Sequence, residues 1–332
     1  MNTPSLPVFG HLAQYVNQAK RPVTDITKAK TLLVFDVANI CARAQHIFGT
    51  VSGLRASSGE KSGHIFGALR MVVNAYNHFV GQGNAAIVFA IEGFPVERYR
   101  IDPSYKANRR SQIDLDAVGV SNTEDAEDAA ADNTADSYTR GEQISALLTL
   151  PGVAMMAPAS EADDVIATLA ALVTPYQRMY IFSTDRDLWQ LMRPNVSLIA
   201  NDYKPVTTEA CRERFGVPPG QLLMYKAIFG DPSDCIPKAL TRGRKTAPVL
   251  EFLAGHRNVT NIPTLIAASV QSKFPFTEDE FLQITQNWLI VSPAVVHADE
   301  MITEITGNQR ALSSIVTRFE MSSLQQVVTD WF

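Results

Sequence analysis

Apolar residues along the chain fall into short continuous runs separated by longer stretches of helical spacing. The run TLLVFDVAN, 31–39, is β-branched and aromatic, closes on Asp36, and predicts a buried strand. HIFGALRMVVNAYNHFV, 64–80, carries its apolar residues at helical spacing, and after Gly81 and Gly83 the run AAIVFAIEG, 85–93, predicts a second strand. Strand, crossover helix and strand make a parallel α/β unit. SEADDVIATLAALV, 160–173, predicts a core helix. RMYIFSTDRDLWQL, 178–191, reads as strand, turn and helix, and VSLIAND, 196–202, as another strand. Beyond about residue 205 the strand pattern fades. Two short helices broken by Pro218, Pro219 and Gly220 lead to the loop 230–247 and a largely helical tail.

The pattern divides the chain into an extension over 1–30, an α/β domain over 31–205 and a helical region over 206–332. Between Ser111 and Thr139 there is no lysine or arginine, and TEDAEDAAADNTADSY, 123–138, is acidic and alanine-rich. Such a segment cannot build a core and reads as an inserted loop or exposed helix.

Composition narrows the chemistry. With 332 residues, 46% hydrophobic and 19% charged, the chain is of globular type. It has no apolar run of the ~20 residues a bilayer crossing needs. Its start lacks the charge and apolar pattern of a signal peptide, so a cytoplasmic protein without a membrane partner is expected. Cys41, Cys211 and Cys235 have no zinc or disulfide spacing, and the six histidines are scattered. A net charge of -5 argues mildly against nucleic acid unless the acids are gathered in one place.

They are gathered. Asp36 and Glu92 end strands, and Asp185 and Asp187 follow one. In open α/β sheets the carboxyl ends of the strands share one rim. Glu161, Asp163 and Asp164 open a helix that must start near it. Capping explains Ser160 and one or two of these acids, but three like charges so close need a cation among them. Without organised Cys or His, the donors suit Mg²⁺ or Mn²⁺. Asp231 and Asp234 in GDPSD lie next to Lys238, Arg242, Arg244 and Lys245, and YKANRR, 105–110, is a second basic cluster. Carboxylates beside bases suit a phosphate ester.

These pieces, VFDVAN, FAIEG, YKANR, EADDVIATLA, STDRDLWQL and GDPSDCIP, resemble in kind and order the structure-specific 5′ nucleases, or flap endonucleases, over roughly 31–255. The resemblance implies a mostly parallel sheet flanked by helices, a PIN-like fold. It also implies a helical C-terminal part with a degenerate helix-3-turn-helix DNA-binding element. It implies metal-dependent hydrolysis of DNA to 5′-phosphate products, as 5′–3′ exonuclease or flap endonuclease, with RNA–DNA hybrid a further substrate. Asp36, Glu92, Glu161 and Asp163 would lie towards one ion and Asp185, Asp187 and Asp234 towards a second, with Asp164 and Asp231 completing the pocket. Lys106 and Arg109 would hold the scissile phosphate. Tyr105 either stacks on a base or packs in the core. Tyr105, Arg110, Lys238, Arg242, Arg244 and Lys245 form the candidate DNA contacts. The segment of about 109–160 would arch over single-stranded 5′ ends.

Three departures from the family pattern stand out. Glu92 replaces the usual aspartate. The loop after GDPSD retains only Gly243 of the family's glycines and has Cys235 for asparagine, which puts the family's monovalent cation in doubt. The arch is acidic, so a regulatory or partner-facing role competes with strand clamping. The alternative reading keeps the fold without catalysis, as a DNA-binding or replication-scaffold protein. Finally, Gln325, Val328, Trp331 and Phe332 have the spacing of sliding-clamp-binding tails, against the plainer reading of a terminal helix tucked onto its own core. A monomeric, stand-alone bacterial or viral nuclease is expected, in the host cytoplasm if viral.

Overall fold

A computed structural model describes residues 21–79, 84–107, 139–200 and 202–332. A six-stranded sheet forms the centre, in the order β5-β4-β1-β2-β3-β6. Its strands are β1 (Thr31–Asp36), β2 (Ala85–Ile91), β3 (Gly152–Met156), β4 (Arg178–Phe182), β5 (Val196–Ile199) and β6 (Ile302–Thr306). The first five pair in parallel, and β6 joins the β3 edge antiparallel, with Ala154 opposite Glu304. β1 is buried along its whole length because both faces are covered. Leu33 and Phe35 point into one apolar layer and Leu32 and Val34 into the other, as the two-residue period requires.

Helices among the described residues include α1 (Val37–Ala44), α2 (Gly63–Phe79), α3 (Val96–Ile101), α4 (Ala162–Leu172), α5 (Thr208–Phe215), α6 (Leu222–Phe229), α7 (Ala247–Gly255), α8 (Ile262–Ser272), α9 (Glu278–Val291), α10 (Gln309–Arg318) and α11 (Gln325–Asp330). α1, α2 and the C-terminal α10 and α11 cover one face, while α4 covers the other. A separate apolar cluster built on Met224, Phe252, Leu265 and Ile284 joins α6 to α9.

The chain passes from β1 through β2 to β3 on one side, then returns to build β4 and β5 on the other. The reversal falls between β1 and β4, where ligands bind in open sheets of this kind. Asp36 ends β1 there, and Asp185 lies just past β4.

Two strands differ from expectation. GVAMM forms β3, and ITEIT interrupts the otherwise helical tail as β6. The tail itself closes the core. Trp331 is 1% exposed and meets Tyr76 edge to face at 4.6 Å between ring centroids. Val327 and Val328 are buried, and Gln309 Nε2 donates to the Val328 carbonyl at 2.8 Å. Gln325, Val328, Trp331 and Phe332 are therefore not a presented clamp-binding motif, because its main aromatic anchor is spent inside the molecule. No helix among the described residues is long and apolar enough to cross a membrane.

Candidate metal centre and nucleic-acid interface

Each acid is aimed by its local backbone. Asp36 is both the last residue of β1 and the N-cap of α1. Its Oδ1 accepts from Asn39 N–H at 3.1 Å and its Oδ2 from Ser183 Oγ at 2.8 Å, which ties the end of β1 to the end of β4. Glu92 leaves β2 and accepts the Ala162 N–H at 3.0 Å, at the positive end of α4. Gly93 permits this approach, since a Cβ there would stand 2.1 Å from the Ala157 carbonyl oxygen and 2.5 Å from that of Ser160. Asp185 Oδ1 accepts the Asp187 N–H at 2.8 Å, which folds the turn after β4.

Asp163 feels the charges of Asp36, Glu92, Glu161 and Asp185, and its carboxyl pKa is pushed well up. Desolvation is the largest cause, followed by the charges of Asp185, Asp36, Glu92 and Glu161. Burial also raises Asp36 and Glu92. A second group adjoins this one. The carboxyl oxygens of Asp187, Asp231 and Asp234 lie within 4.8 Å of one another. Gly230, at φ 73, turns the chain into this loop, which the Asp231–Ile236 backbone bonds close at 2.9 Å each way. Cys235 is held at φ 60, a left-handed conformation that asparagine tolerates better than cysteine.

Two cations that sequence reasoning passed over organise the acids. Lys226, on α6, is 6% exposed. Its ammonium bonds to Asp187 and, at 2.7 Å, to Asp231. Burial pushes the Asp187 carboxyl up to about 6 even so, because desolvation and Asp185 outweigh the lysine. A lone lysine inside the apolar run LLMYKAIF was the available signal, since a buried ammonium needs carboxylate partners.

Arg98, on α3, is the second. Its two terminal nitrogens grip both oxygens of Asp164, at 2.6 and 2.8 Å, and one also reaches Glu161 Oε2 at 2.7 Å. Nε donates to the Ile290 carbonyl at 2.9 Å. Asp164 Oδ2 also caps its own helix by accepting the Glu161 N–H at 3.0 Å, and Oδ1 accepts the Ala294 N–H at 2.7 Å. Asp164 is 1% exposed with both oxygens committed, so it anchors the helix start and does not face an ion.

The expected phosphate-binding residues divide. Lys106 Nζ bonds to Glu161 Oε1 at 2.5 Å, and its N–H donates to the Asp234 carbonyl at 3.0 Å, so this turn joins the two acid groups. Desolvation tends to raise the Glu161 carboxyl, but Lys106 and Arg98 outweigh it and hold it below the usual range. Tyr105 is 4% exposed, packs with Ile236 and Ile290, and donates to Glu161 Oε2 at 2.9 Å. It belongs to the core and not to a base-stacking surface. Lys238, Arg242 and Lys245 are exposed on the loop between α6 and α7. Arg244 is not available in the same way, because its guanidinium is bound to the Glu280 carboxylate at 2.6 Å. Arg109, Arg110 and the acidic stretch 123–138 lie outside the described residues. A cleft lined by Lys106, Glu161, Asp163, Asp185, Asp187 and Asp234 remains. Of these acids Asp163 and Asp187 are raised by burial and by neighbouring charge, and such crowded carboxylates are a donor set that a hard divalent cation would relieve.

Residues 31–216 match the family described as 5′–3′ exonuclease, N-terminal resolvase-like domain. The chain is 30% identical over 251 residues to a DNA polymerase I of Synechocystis, covering 71% of this chain and 23% of that protein. It is 27% identical over 211 residues to a 5′–3′ exonuclease of Buchnera aphidicola, covering 63% and 66%. The chain thus spans about a quarter of the polymerases it matches. In structure it is similar to a phage T5 5′-exonuclease with zinc ions bound, with TM-score 0.56, 17% identity and coverage of 91% and 96%. A phage T5 flap endonuclease in complex with DNA and metal ions gives TM-score 0.53 at 18% identity, with coverage of 91% and 96%. These likenesses establish the shared fold.

Proposed function

The chain belongs to the 5′–3′ exonuclease family, and from that premise we propose that it is a divalent-metal-dependent nuclease. Its substrates are DNA 5′ ends and flaps, and also the RNA strand of RNA–DNA hybrids. The observation that carries this reading is one cleft lined by Lys106, Glu161, Asp163, Asp185, Asp187 and Asp234, with the charges of Asp36 and Glu92 acting on Asp163 and with Asp231 beside Asp187 and Asp234.

Asp36, Glu92 and Asp163, with Glu161 beside them, would hold one divalent ion. Asp185, Asp187 and Asp234 would hold a second, with Asp231 sharing Lys226. Such ions, when bound, supply Lewis-acid polarisation of a phosphoryl group and of water. The chain's own residues do the rest. Arg98 and Tyr105 fix Glu161, and Asp164 fixes the first turn of α4, so the ligands are set before substrate arrives. Lys106 offers an ammonium at the cleft to charge developing on a phosphate oxygen. Lys238, Arg242 and Lys245 would contact the backbone of the duplex beyond the cut.

The test is a calorimetric titration with Mn²⁺, followed by end analysis of products from a 5′-flap duplex and an RNA–DNA hybrid. Saturable binding, lost in Asp185→Ala, with products carrying 5′ phosphates, is expected. Absence of Mn²⁺ binding, or products carrying 3′ phosphates, would overturn the assignment.

A further inference from the structure

The loop between α6 and α7 is held by a carboxylate from a different helix. Glu280, in the first turn of α9, is 0% exposed. Its Oε1 accepts the Thr241 N–H at 3.0 Å and the Thr241 hydroxyl at 2.9 Å. Its Oε2 accepts the Arg244 guanidinium at 2.6 Å and the Thr277 N–H at 3.1 Å. Both oxygens are filled, two donors each, which is the full capacity of a carboxylate. Arg244 is fixed further by the Pro275 carbonyl at 2.6 Å, and it lies over the rings of Phe274 and Phe276 at 5.4 and 5.1 Å. Its own N–H closes a turn on the Thr241 carbonyl at 3.0 Å.

The family resemblance implies a monovalent cation in this loop, and the residues present do not fit one. A guanidinium already brings positive charge to the loop, and the buried anion facing it comes from the chain itself. Adding a cation beside Arg244 would meet like charge, with no oxygen of Glu280 left to offer.

We propose that the Glu280–Arg244 ion pair replaces the monovalent cation as the organiser of a duplex-binding loop. Glu280 is a positioning residue, Arg244 its internal counter-ion, and Lys238, Arg242 and Lys245 are the phosphate contacts they present. This rests on the nuclease reading for its partner, duplex DNA. It adds that duplex affinity is indifferent to which monovalent cation is present.

The experiment measures anisotropy of a labelled blunt duplex and of a labelled single strand in EDTA. KCl, NaCl and tetramethylammonium chloride are compared at equal ionic strength. Wild type is expected to bind the duplex with the same affinity, within about twofold, in all three salts. Glu280→Gln, which turns an amide NH₂ towards existing donors, is expected to weaken duplex binding about tenfold, 1.4 kcal/mol, and to leave single-strand binding unchanged. Arg242→Ala, on the exposed face, should reduce the salt dependence of duplex binding by about one charge without changing the melting temperature. A tenfold loss of wild-type affinity on replacing KCl by tetramethylammonium chloride would overturn the proposal without any variant. So would equal duplex affinity in wild type and a folded Glu280→Gln protein. A parallel Mg²⁺ hydrolysis assay separates the readings: cleavage with potassium-dependent binding sinks this inference alone, and cation-indifferent binding without cleavage sinks the nuclease reading alone.

Discussion

Replacing Arg98 by methionine removes one guanidinium and leaves two carboxylates, Asp164 and Glu161, facing each other in a region where Asp164 is 1% exposed. The bonds lost are three to carboxylate oxygens, at 2.6 to 2.8 Å, and two to the carbonyls of Ile290 and Ser292. Breaking a buried pair by removing one partner costs about 3–5 kcal/mol, against about 0–1 kcal/mol for an exposed pair. The expected loss for Arg98→Met is therefore about 4 kcal/mol in urea unfolding. The pair Arg98→Met, Asp164→Leu should cost less than the two single changes added together, because each removes the other's stranded charge. The pH dependence has a definite sign. The Glu161 carboxyl is held below its ordinary value of 4.5, so its share of the stability is present above that pH. As pH falls below 4.5, native Glu161 is still charged while the unfolded group takes up protons, and the gap between wild type and variant narrows. A loss below about 1 kcal/mol for Arg98→Met, or strict additivity in the double variant, would refute the buried-anchor reasoning.

Other consequences follow from the same geometry. Trp331→Ala should destabilise by about 3–5 kcal/mol through the cavity it leaves, seen as a lower urea midpoint; an unchanged midpoint would return the tail to the surface. Divalent-ion affinity should climb as pH rises through about 6, where Asp187 loses the proton that competes with the ion. Calorimetry with Mn²⁺ between pH 5 and 8 checks this, and an affinity flat from 5 to 7 would contradict it. Lys226→Met leaves Asp187 and Asp231 without their ammonium, so its melting temperature in EDTA should fall and Mn²⁺ should restore most of the loss; no recovery with Mn²⁺ would count against an ion site there.

The strand-end acids were legible because parallel strands buried on both faces are continuous apolar runs, and Asp36 and Glu92 mark where burial stops. The short β3, GVAMM, shows little β-branched enrichment. β6, ITEIT, is an exposed edge strand whose partner lies about 150 residues away in the chain. Neither announces itself locally. Asp164 was grouped with the metal ligands because spacing along α4 shows three acids and cannot show Arg98, 66 residues earlier. Arg244 likewise reads as one more base in a basic loop until α9 brings Glu280 against it. The sequence leaves Tyr105 open between base and core, and only the packing of Ile236 and Ile290 around it decides. In each case the missing information is a long-range partner, which composition and periodicity do not carry.

The central claim is that these carboxylates make a metal-dependent nuclease. Release of labelled product from a 5′-flap duplex tests it most directly, comparing wild type with the Asp185→Ala, Asp187→Ala double variant in Mg²⁺ and in EDTA. Cleavage by wild type in Mg²⁺, abolished by EDTA and by the double variant, is the result predicted. Equal activity in the two proteins, or an inert wild type, would contradict it.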